Sequence, residues 1–295
     1  MKQNLTIREA HLEASSFLME SMSTQDASHV SRLLLEHVLG WDRSQLLLHW
    51  QERFPADKWA CWQEALSRKA AGEPVQYIMG EQEFYGRVFQ VNPSVLIPRP
   101  ETELLVEAVL LRGRQLQARL QREALRVVDI GTGSGIIPVT LKLEQPSWQI
   151  GAVDLSPAAL KVAQDNADRY AIRDDIRWME GDLLTPLIDE QAEVDMVVSN
   201  PPYIPSLDIP DLQLEVRGHE PMLALDGGDD GLTCYRKLLM QVQQLRHAPL
   251  MLAFEVGYGQ AGQVGEWMTA IGYEEIETIR DLAGVDRHVI GLRTV

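Results

Sequence analysis

This sequence contains few residues of the kinds that build disulfide frameworks, metal centres and membrane spans. Its two cysteines, Cys61 and Cys234, lie far apart and form no Cys-x-x-Cys pair. We therefore predict neither a disulfide framework nor a thiolate metal site. The seven histidines include no His-Glu-x-x-His pair, so no bound metal is predicted. There is no long apolar run and the first residues are polar, which predicts no targeting segment, no membrane association and a cytoplasmic location.

Clusters of lysine and arginine are also absent, although the chain is strongly charged. The formal net charge of the 295 residues is −16. Residues 1–73 hold 8 basic and 10 acidic side chains, whereas the remainder holds 19 basic and 33 acidic ones. Nucleic-acid binding draws mainly on Lys and Arg contacts to phosphates. The acidic remainder therefore argues against a nucleic-acid partner.

The N-terminal residues carry helix signals, and the chain is long enough for two domains with separate cores. Thr6-Ile7-Arg8-Glu9 fits a capping box, Gly40 follows an apolar helical stretch, and Pro55 and Gly72 bracket a further helix. We predict a small all-α N-terminal domain over residues 1–73.

A short hairpin pattern follows the helical part. Residues 83–91 alternate around Gly86 as two short antiparallel strands do. We predict that residues 74–95 form a β-hairpin linker. Residues 96–295 are predicted to form the third and largest segment, and the motifs described next predict that it binds a cofactor.

A strand, a glycine turn and a helix follow one another from residue 126. Arg126–Ile130 is typical of a short buried strand, and the helix is predicted to begin at Ile136. A second strand, Trp148–Asp154, ends in an acid about 20 residues beyond the glycines, where a ribose-binding carboxylate is expected. This succession of strand, glycine turn, helix and strand therefore predicts that the chain binds a nucleoside.

The spacing of the glycines narrows the choice of nucleoside. A dinucleotide fingerprint requires G-x-G-x-x-G, but Ile136 takes the last position and residues 131–135 read G-x-G-x-G. This suits a ligand without a pyrophosphate, such as S-adenosylmethionine, whose amino-acid end would rest against the glycine backbone. By itself, the motif is equally consistent with an ordinary tight turn.

Polar residues follow three of the predicted strands. A third strand over Ile176–Leu183 is predicted to end in Gly-Asp, where Asp182 and its neighbour Leu183 would meet the adenine. Asp154, Asp182 and Asn200 then lie at the carboxyl ends of successive strands, which is where ligands bind in an open α/β sheet. We predict a Rossmann-like α/β fold with a mainly parallel sheet and helices on both faces.

The tetrapeptide Asn200-Pro201-Pro202-Tyr203 follows the apolar run 194–199. An amide or exocyclic amine nitrogen is a poor nucleophile while its lone pair is delocalised. The Asn200 side-chain oxygen can accept one of its N–H groups and the Pro201 carbonyl the other, which raises the electron density on nitrogen. The prolines fix the direction of that carbonyl, and the Tyr203 ring face favours positive charge on nitrogen. The motif predicts methyl transfer to a planar nitrogen, although by itself it also fits a turn.

Further motifs give the chain a close family resemblance. Residues 74–80, residues 95–103 (Val-Leu-Ile-Pro-Arg-Pro-Glu-Thr-Glu) and the stretch 252–257, taken with the glycine turn and Asn-Pro-Pro-Tyr, resemble the peptide chain release factor N5-glutamine methyltransferases. The resemblance runs from Pro74 to the end of the chain and, more loosely, through the helical N-terminus. It implies a Rossmann-like class I methyltransferase that moves a methyl group from S-adenosyl-L-methionine to the N5 amide nitrogen of the glutamine in the Gly-Gly-Gln motif of class-one release factors.

The resemblance also implies roles for particular residues. Together with the strand-end argument it assigns the cofactor to Gly131, Thr132, Gly133, Ser134, Gly135, Asp154, Asp182, Leu183 and Asn200. It assigns the glutamine amide to Asn200, Pro201, Pro202 and Tyr203. Some relatives have a large aromatic residue where Leu183 stands, so here only apolar packing against the adenine is expected. The N-terminal domain is expected to dock the protein substrate.

Other acceptors remain open. A sister enzyme modifies a glutamine of a large-subunit ribosomal protein and carries Arg-Ser-Pro where this chain has Arg-Pro-Glu-Thr-Glu at residues 99–103. Adenine N6-methyltransferases of nucleic acid use a similar Asn-Pro-Pro-Tyr motif, and a non-catalytic cofactor-binding scaffold is a further alternative. We predict that Pro100 begins a helix, in which Glu101 and Glu103 complement the helix dipole, line the cofactor cavity, or both.

Overall fold

The computed structural model describes residues 5–20 and 22–294 and divides into two units. The first comprises Met1–Gly80 with Gln213–His219, and the second comprises Glu81–Leu212 with Glu220–Val295. Within the described residues, no helix is both long enough and apolar enough to span a bilayer. The finer boundaries 1–73, 74–95 and 96–295 stay a prediction.

The first unit is helical. Its helices are α1 Ile7–Leu18, α2 Thr24–Leu39, α3 Arg43–Leu48, α4 Trp59–Ala70 and α5 Val75–Met79, joined by the later α10 Leu214–His219 and a 3-10 turn at Ala56–Lys58. The predicted capping box is confirmed, because Thr6 accepts from the Glu9 backbone N–H while the Glu9 carboxylate accepts from the Thr6 backbone N–H. The C-cap of α2 is Gly40, as predicted.

An ion pair between a buried lysine and a partly exposed glutamate lies inside this first unit. The Lys69 side chain is almost fully buried, and its ammonium pairs with the Glu215 carboxylate of α10. The same ammonium donates to the Glu73 backbone oxygen at 3.1 Å. A buried lysine needs such partners because desolvation penalises an isolated charge. The pair therefore attaches α10 to the first unit.

The second unit is built on a seven-stranded sheet. The hairpin strands are β1 Glu81–Phe84 and β2 Arg87–Gln90, and the sheet strands are β3 Arg126–Ile130, β4 Gln149–Asp154, β5 Ile176–Glu180, β6 Met196–Ser199, β7 Met251–Glu255, β8 Glu275–Arg280 and β9 Asp286–Leu292. The sheet order is β5-β4-β3-β6-β7-β9-β8, and only the pairings that involve β9 are antiparallel. The predicted Rossmann-like fold is confirmed.

Helices pack around this sheet. They are α6 Glu101–Leu120, α7 Ile136–Glu144, α8 Pro157–Arg169, α9 Thr185–Asp189, α11 Thr233–Val242 and α12 Ala261–Ala270, with 3-10 turns at Arg173–Asp175, Ile209–Asp211 and Met222–Ala224. Strands β6 and β7 are buried along their whole length, and β3 is buried from Val127 to Ile130, as expected of strands covered on both faces. The chain order reverses between β3 and β6, and this switch point is where an open α/β sheet binds ligands.

The predicted hairpin is present, and it is fastened within the second unit. Strands β1 and β2 pair from Glu81↔Gln90 to Phe84↔Arg87. The buried side chain of Asn166 on α8 exchanges two hydrogen bonds with the Gln90 backbone, at 2.6 and 3.0 Å. Asn166 also donates to the Ser134 carbonyl at 2.8 Å, so one side chain holds both the hairpin and the glycine turn.

Candidate active site

A cavity of about 450 Å³ opens at the carboxyl edge of the sheet. Its walls come from the ends of β3, β4, β5 and β6, from the start of α6, and from residues 221–226. This size and position are typical of a site for a small ligand. All the lining residues belong to the second unit.

The glycine turn forms one wall of the cavity. Gly131, Thr132, Gly133 and Ser134 line it, whereas Gly135 does not. Gly135 instead caps α7 with φ +82°, and a Cβ there would lie 2.9 Å from the Ala163 Cβ on α8. Its role in the structure is therefore the left-handed turn and the close approach of two helices, which only glycine allows without strain.

Asp154 is the last residue of β4 and lines the same wall of the cavity. Its carboxylate accepts from the backbone N–H groups of Gly133 and Ser156, each at 2.8 Å. Burial raises the pKa of Asp154, and these hydrogen bonds oppose the rise. Because each carboxylate oxygen has a further lone pair, Asp154 can hold the glycine turn and still accept from a ligand hydroxyl.

Asp182 and Leu183 line the cavity beyond β5, which ends at Glu180 rather than at Leu183 as predicted. The strand stops there because Gly181 and the residues after it turn away from the sheet. Leu183 has φ +56°, a conformation that is strained for a branched side chain. The Asp182 carboxylate pairs with Lys237 at 2.9 Å. This ion pair is about half exposed, so its contribution to stability is small.

Two buried polar groups lie next to each other on this side, the Thr132 hydroxyl, which lines the cavity, and the Asp129 carboxylate, which does not. Burial raises the pKa of Asp129 to about 7, the interaction with the Thr132 hydroxyl opposes the rise, and the nearby charge of Asp154 adds to it. Apart from each other, neither group has a hydrogen-bond partner among the described residues. Buried polar groups with so few partners are unusual in folded proteins.

Asn200 lines a second wall of the cavity directly after β6, whose last residue, Ser199, pairs with Ile130 before the glycine turn. Its side-chain Nδ2 donates to the Thr102 hydroxyl at 3.2 Å. The Thr102 hydroxyl donates to the Glu255 carboxylate at 2.7 Å. Thr102 and Glu255 are both buried. Asn200 is thus linked to residues that are distant from it in the sequence.

The rest of the tetrapeptide is arranged around Asn200. Pro202 lines the cavity, Pro201 is buried behind it, and Tyr203 lies outside the cavity lining. Burial raises the pKa of Tyr203 to about 12, and the negative charge of Glu255 adds to the rise. The ring therefore stays neutral at physiological pH. The structure brings Asn200 and Pro202 to the cavity and holds the other two residues beside it.

The Tyr203 carbonyl is held by Gln260, which lies outside the cavity lining. It accepts from the Gln260 side chain at 2.9 Å, and Gln260 in turn accepts from the Gly257 backbone N–H at 2.8 Å. Gly231 lies so close that a Cβ there would be 2.3 Å from the Tyr203 oxygen. The tetrapeptide is therefore held at both ends, by Thr102 at Asn200 and by Gln260 at Tyr203.

Several of the residues around the cavity were not predicted from the sequence. Thr102 lines the cavity, whereas Glu101 and Glu103 do not. Glu103 instead accepts from the Tyr85 backbone N–H at 2.8 Å, and both acids lie in the first turn of α6, as predicted for dipole complementation. Arg99, which also lines the cavity, pairs with the buried Glu220 at 2.6 Å.

Curated relatives cover almost all of the chain. The release factor glutamine methyltransferase of Bacillus subtilis (strain 168) is 40% identical over 288 residues, which is 97% of this chain and 98% of that protein. The protein of the same name from Moorella thermoacetica is 42% identical over 268 residues, or 89% and 91% of the two chains. This chain belongs to the release factor glutamine methyltransferase family. The resemblance inferred from the motifs is therefore confirmed.

Two family models match parts of the chain, and solved structures of low sequence identity share its fold. The PrmC N-terminal domain matches residues 9–80, and the methyltransferase small domain matches residues 107–212. The hMettl16 catalytic domain in complex with MAT2A 3'UTR hairpin 6 has a TM-score of 0.55, covering 79% of this chain and 83% of that chain at 16% identity. The N-terminal domain of human METTL16 in complex with SAH has a TM-score of 0.51 at 17% identity, covering 76% and 93%. At these identities, the likeness establishes the fold alone.

Proposed function

We propose that this protein transfers a methyl group from S-adenosyl-L-methionine to the N5 side-chain amide nitrogen of the glutamine in the Gly-Gly-Gln motif of class-one peptide chain release factors. It is an S-adenosylmethionine-dependent protein-glutamine methyltransferase by family membership. The observation that carries the assignment is the Asn200 side chain at the cavity wall, held by Thr102 beside a glycine turn.

The residues of the cofactor wall fit S-adenosylmethionine. Gly131, Thr132, Gly133 and Ser134 would meet its amino-acid end, where the Thr132 hydroxyl can interact with Asp129 and still accept a hydrogen bond from the ligand. Asp154 would accept from the ribose, and Asp182 and Leu183 would face the adenine. Gly135 would act from behind the wall by shaping the turn. When bound, the cofactor supplies a methyl group on a positively charged sulfur.

The acceptor wall activates the amide nitrogen. The Asn200 Oδ1 accepts one N–H of the glutamine amide and the Pro201 carbonyl accepts the other, so electron density returns to nitrogen. Pro202 fixes the direction of the Pro201 carbonyl, because a proline biases the residue before it toward extended backbone. The neutral Tyr203 ring, which lies beside the cavity, would favour the positive charge that builds on nitrogen. The methylated nitrogen is then acidic enough to lose its proton to water, so no separate base is required.

The acceptor is proposed to be a protein and not a nucleic acid. Residues 74–295 hold 19 basic against 33 acidic side chains, which gives phosphates little to bind. The helical unit, matched by the PrmC N-terminal domain, is proposed to dock the release factor. Because its proposed substrate acts in translation, we propose a cytoplasmic location for the enzyme.

The test is transfer of labelled methyl to three acceptors in parallel, with mass spectrometry locating the methyl group. The acceptors are a release factor, a large-subunit ribosomal protein and duplex DNA. We expect label on the Gly-Gly-Gln glutamine of the release factor and none on the other two. Label on the ribosomal protein alone or on DNA alone would show that this acceptor, and not the release factor, is the substrate. Cofactor binding without methyl transfer to any acceptor would indicate a non-catalytic scaffold.

A further inference from the structure

A chain of hydrogen bonds runs from Asn200 into the core of the second unit. Asn200 Nδ2 donates to Thr102 Oγ1 at 3.2 Å, and Thr102 Oγ1 donates to Glu255 Oε2 at 2.7 Å. Thr102 is 0% exposed and Glu255 is 1% exposed, so water does not compete for these groups. The chain joins the first turn of α6, the carboxyl end of β6 and the carboxyl end of β7.

The direction of this chain is fixed by the chemistry of its last member. A carboxylate has only acceptor oxygens, so the single hydroxyl hydrogen of Thr102 must point to Glu255. The lone pairs of that hydroxyl then remain for Asn200, which can meet them only with its NH2 group. The Asn200 carbonyl oxygen is therefore turned away from Thr102. Without this chain, the two ends of the carboxamide would be nearly equivalent in shape and would exchange freely.

Glu255 is itself held by rigid elements. It is the last residue of β7 and pairs across the sheet with His288 of β9, whose Nε2 lies 3.8 Å from the Glu255 Oε2. The Glu255 backbone oxygen accepts from the Tyr235 hydroxyl at 2.7 Å. Polar groups on sheet strands keep a fixed geometry better than groups on loops. The carboxylate is thus a fixed reference point for the orientation of Thr102.

We propose that Thr102 and Glu255 are positioning residues for methyl transfer, which fix the Asn200 carboxamide so that its oxygen faces the acceptor nitrogen. The inference rests on the proposed function, because it gives the two residues a task only if Asn200 accepts an amide N–H. Neither residue needs to touch the acceptor. Their effect is on the fraction of enzyme in which Asn200 presents its acceptor oxygen and not its donor.

The first test compares isosteric variants in steady-state methylation of a release factor. Thr102→Val removes the hydroxyl at constant shape, and we expect it to lower kcat about tenfold, the scale of one lost hydrogen bond. The Kd for the cofactor should stay near the wild-type value. Thr102→Ser keeps the hydroxyl and should restore most of kcat. Thr140→Val is the matched control, since Thr140 is equally buried in the same unit and its hydroxyl has no hydrogen-bond partner among the residues that the structure describes.

A second variant keeps the inference falsifiable if valine perturbs folding. Glu255→Gln adds a donor at the end of the chain, so Thr102 can accept from it and donate to the Asn200 oxygen. Both orientations of Asn200 then become possible, and kcat should fall by less than in Thr102→Val. Thermal unfolding of each variant shows whether the fold is retained.

The decisive experiment combines Thr102→Val with Asn200→Ala in a double variant and compares its kcat with that of Asn200→Ala alone. If Thr102 acts through Asn200, the double variant should be no slower than Asn200→Ala alone. An equal further loss in both backgrounds, or an unchanged kcat in Thr102→Val, would overturn the inference while leaving the proposed function intact. If the wild-type enzyme fails to methylate the release factor, both are overturned.

Discussion

The two walls of the cavity differ in how their polar groups are satisfied. On the glycine-turn wall, the Thr132 hydroxyl interacts with the buried Asp129 carboxylate, and neither group has another hydrogen-bond partner in the described part of the chain. On the Asn-Pro-Pro-Tyr wall, the Asn200 amide and the Tyr203 carbonyl are held by Thr102 and Gln260. The first wall has hydrogen-bonding capacity left for a ligand, whereas the second is already organised by the protein.

This difference matches the roles that we propose for the two walls. Binding a cofactor gains from polar groups that are satisfied only by the ligand. Accelerating a reaction gains from groups that are already in place when charge develops, because no reorganisation is then needed. The comparison predicts that changes on the second wall act on kcat, while changes on the first act on cofactor affinity or on stability.

The largest effect is expected at Asn200. Asn200→Ala removes the acceptor for one amide N–H and should lower kcat about 10²- to 10³-fold, the scale of one lost pre-organised group at a reacting centre. The cofactor Kd, measured by calorimetry, should weaken only modestly. Near-normal turnover in this variant would show that Asn200 has no role in the mechanism. It would also contradict the prediction that changes on the second wall act on kcat.

Asp154→Ala should act in the opposite way. Loss of a charge-assisted hydrogen bond to the ribose should weaken cofactor binding about 10- to 100-fold, with kcat at saturating cofactor nearly unchanged. Asp154→Asn is the matched control, because its side-chain oxygen can still accept from Gly133 or Ser156. A fall in kcat at unchanged cofactor Kd would contradict the assignment.

Gly231→Ala tests how tightly the second wall is packed. The added Cβ would lie 2.3 Å from the Tyr203 oxygen and 2.6 Å from the Gln260 Nε2, at a φ of +72°. Gly259→Ala is the control, because its φ of +77° imposes the same backbone strain with no atom within 4 Å. We expect Gly231→Ala to lower the free energy of unfolding by about 1 to 3 kcal/mol more than Gly259→Ala does. Equal losses in chemical denaturation would show that the Tyr203 carbonyl is not confined.

The last prediction concerns Asp129 and the pH dependence of stability. Its pKa rises from the usual 3.8 to about 7 in the folded protein. Between those values the folded state holds a proton that the unfolded state has lost, so this group makes stability fall as pH rises from about 4 to 7. Asp129→Asn cannot titrate. The variant should therefore gain stability relative to wild type over this pH range, and a difference that is constant with pH would contradict the raised pKa.

Features that depend on neighbouring residues could be predicted from the sequence. The Thr6 capping box, the helix end at Gly40 and the hairpin around Gly86 each follow from contacts within a few residues. The glycine turn and Asp154 were also predictable, because a βαβ unit places them together by its own geometry. The end of β5 was predicted too late, since Gly181 and Asp182 were counted as strand when they turn away from the sheet.

Features that depend on distant contacts could not be predicted. Thr102 and Glu255 are separated by 153 residues and meet only because the sheet order places β7 beside β6 and α6 packs there. The sequence drew attention to Glu101 and Glu103, which carry charge, although it is the uncharged Thr102 between them that reaches the cavity. Likewise, nothing near Gln260 in the sequence indicates that it holds the Tyr203 carbonyl.

The central claim is that the acceptor wall is organised for the amide nitrogen of one glutamine. The most direct test is single-turnover methylation of a release factor with an intact Gly-Gly-Gln motif, beside one in which that glutamine is changed to alanine. We predict rapid transfer to the intact protein, with the methyl group on the N5 nitrogen, and no transfer to the alanine form. Equal incorporation into both proteins would contradict the account.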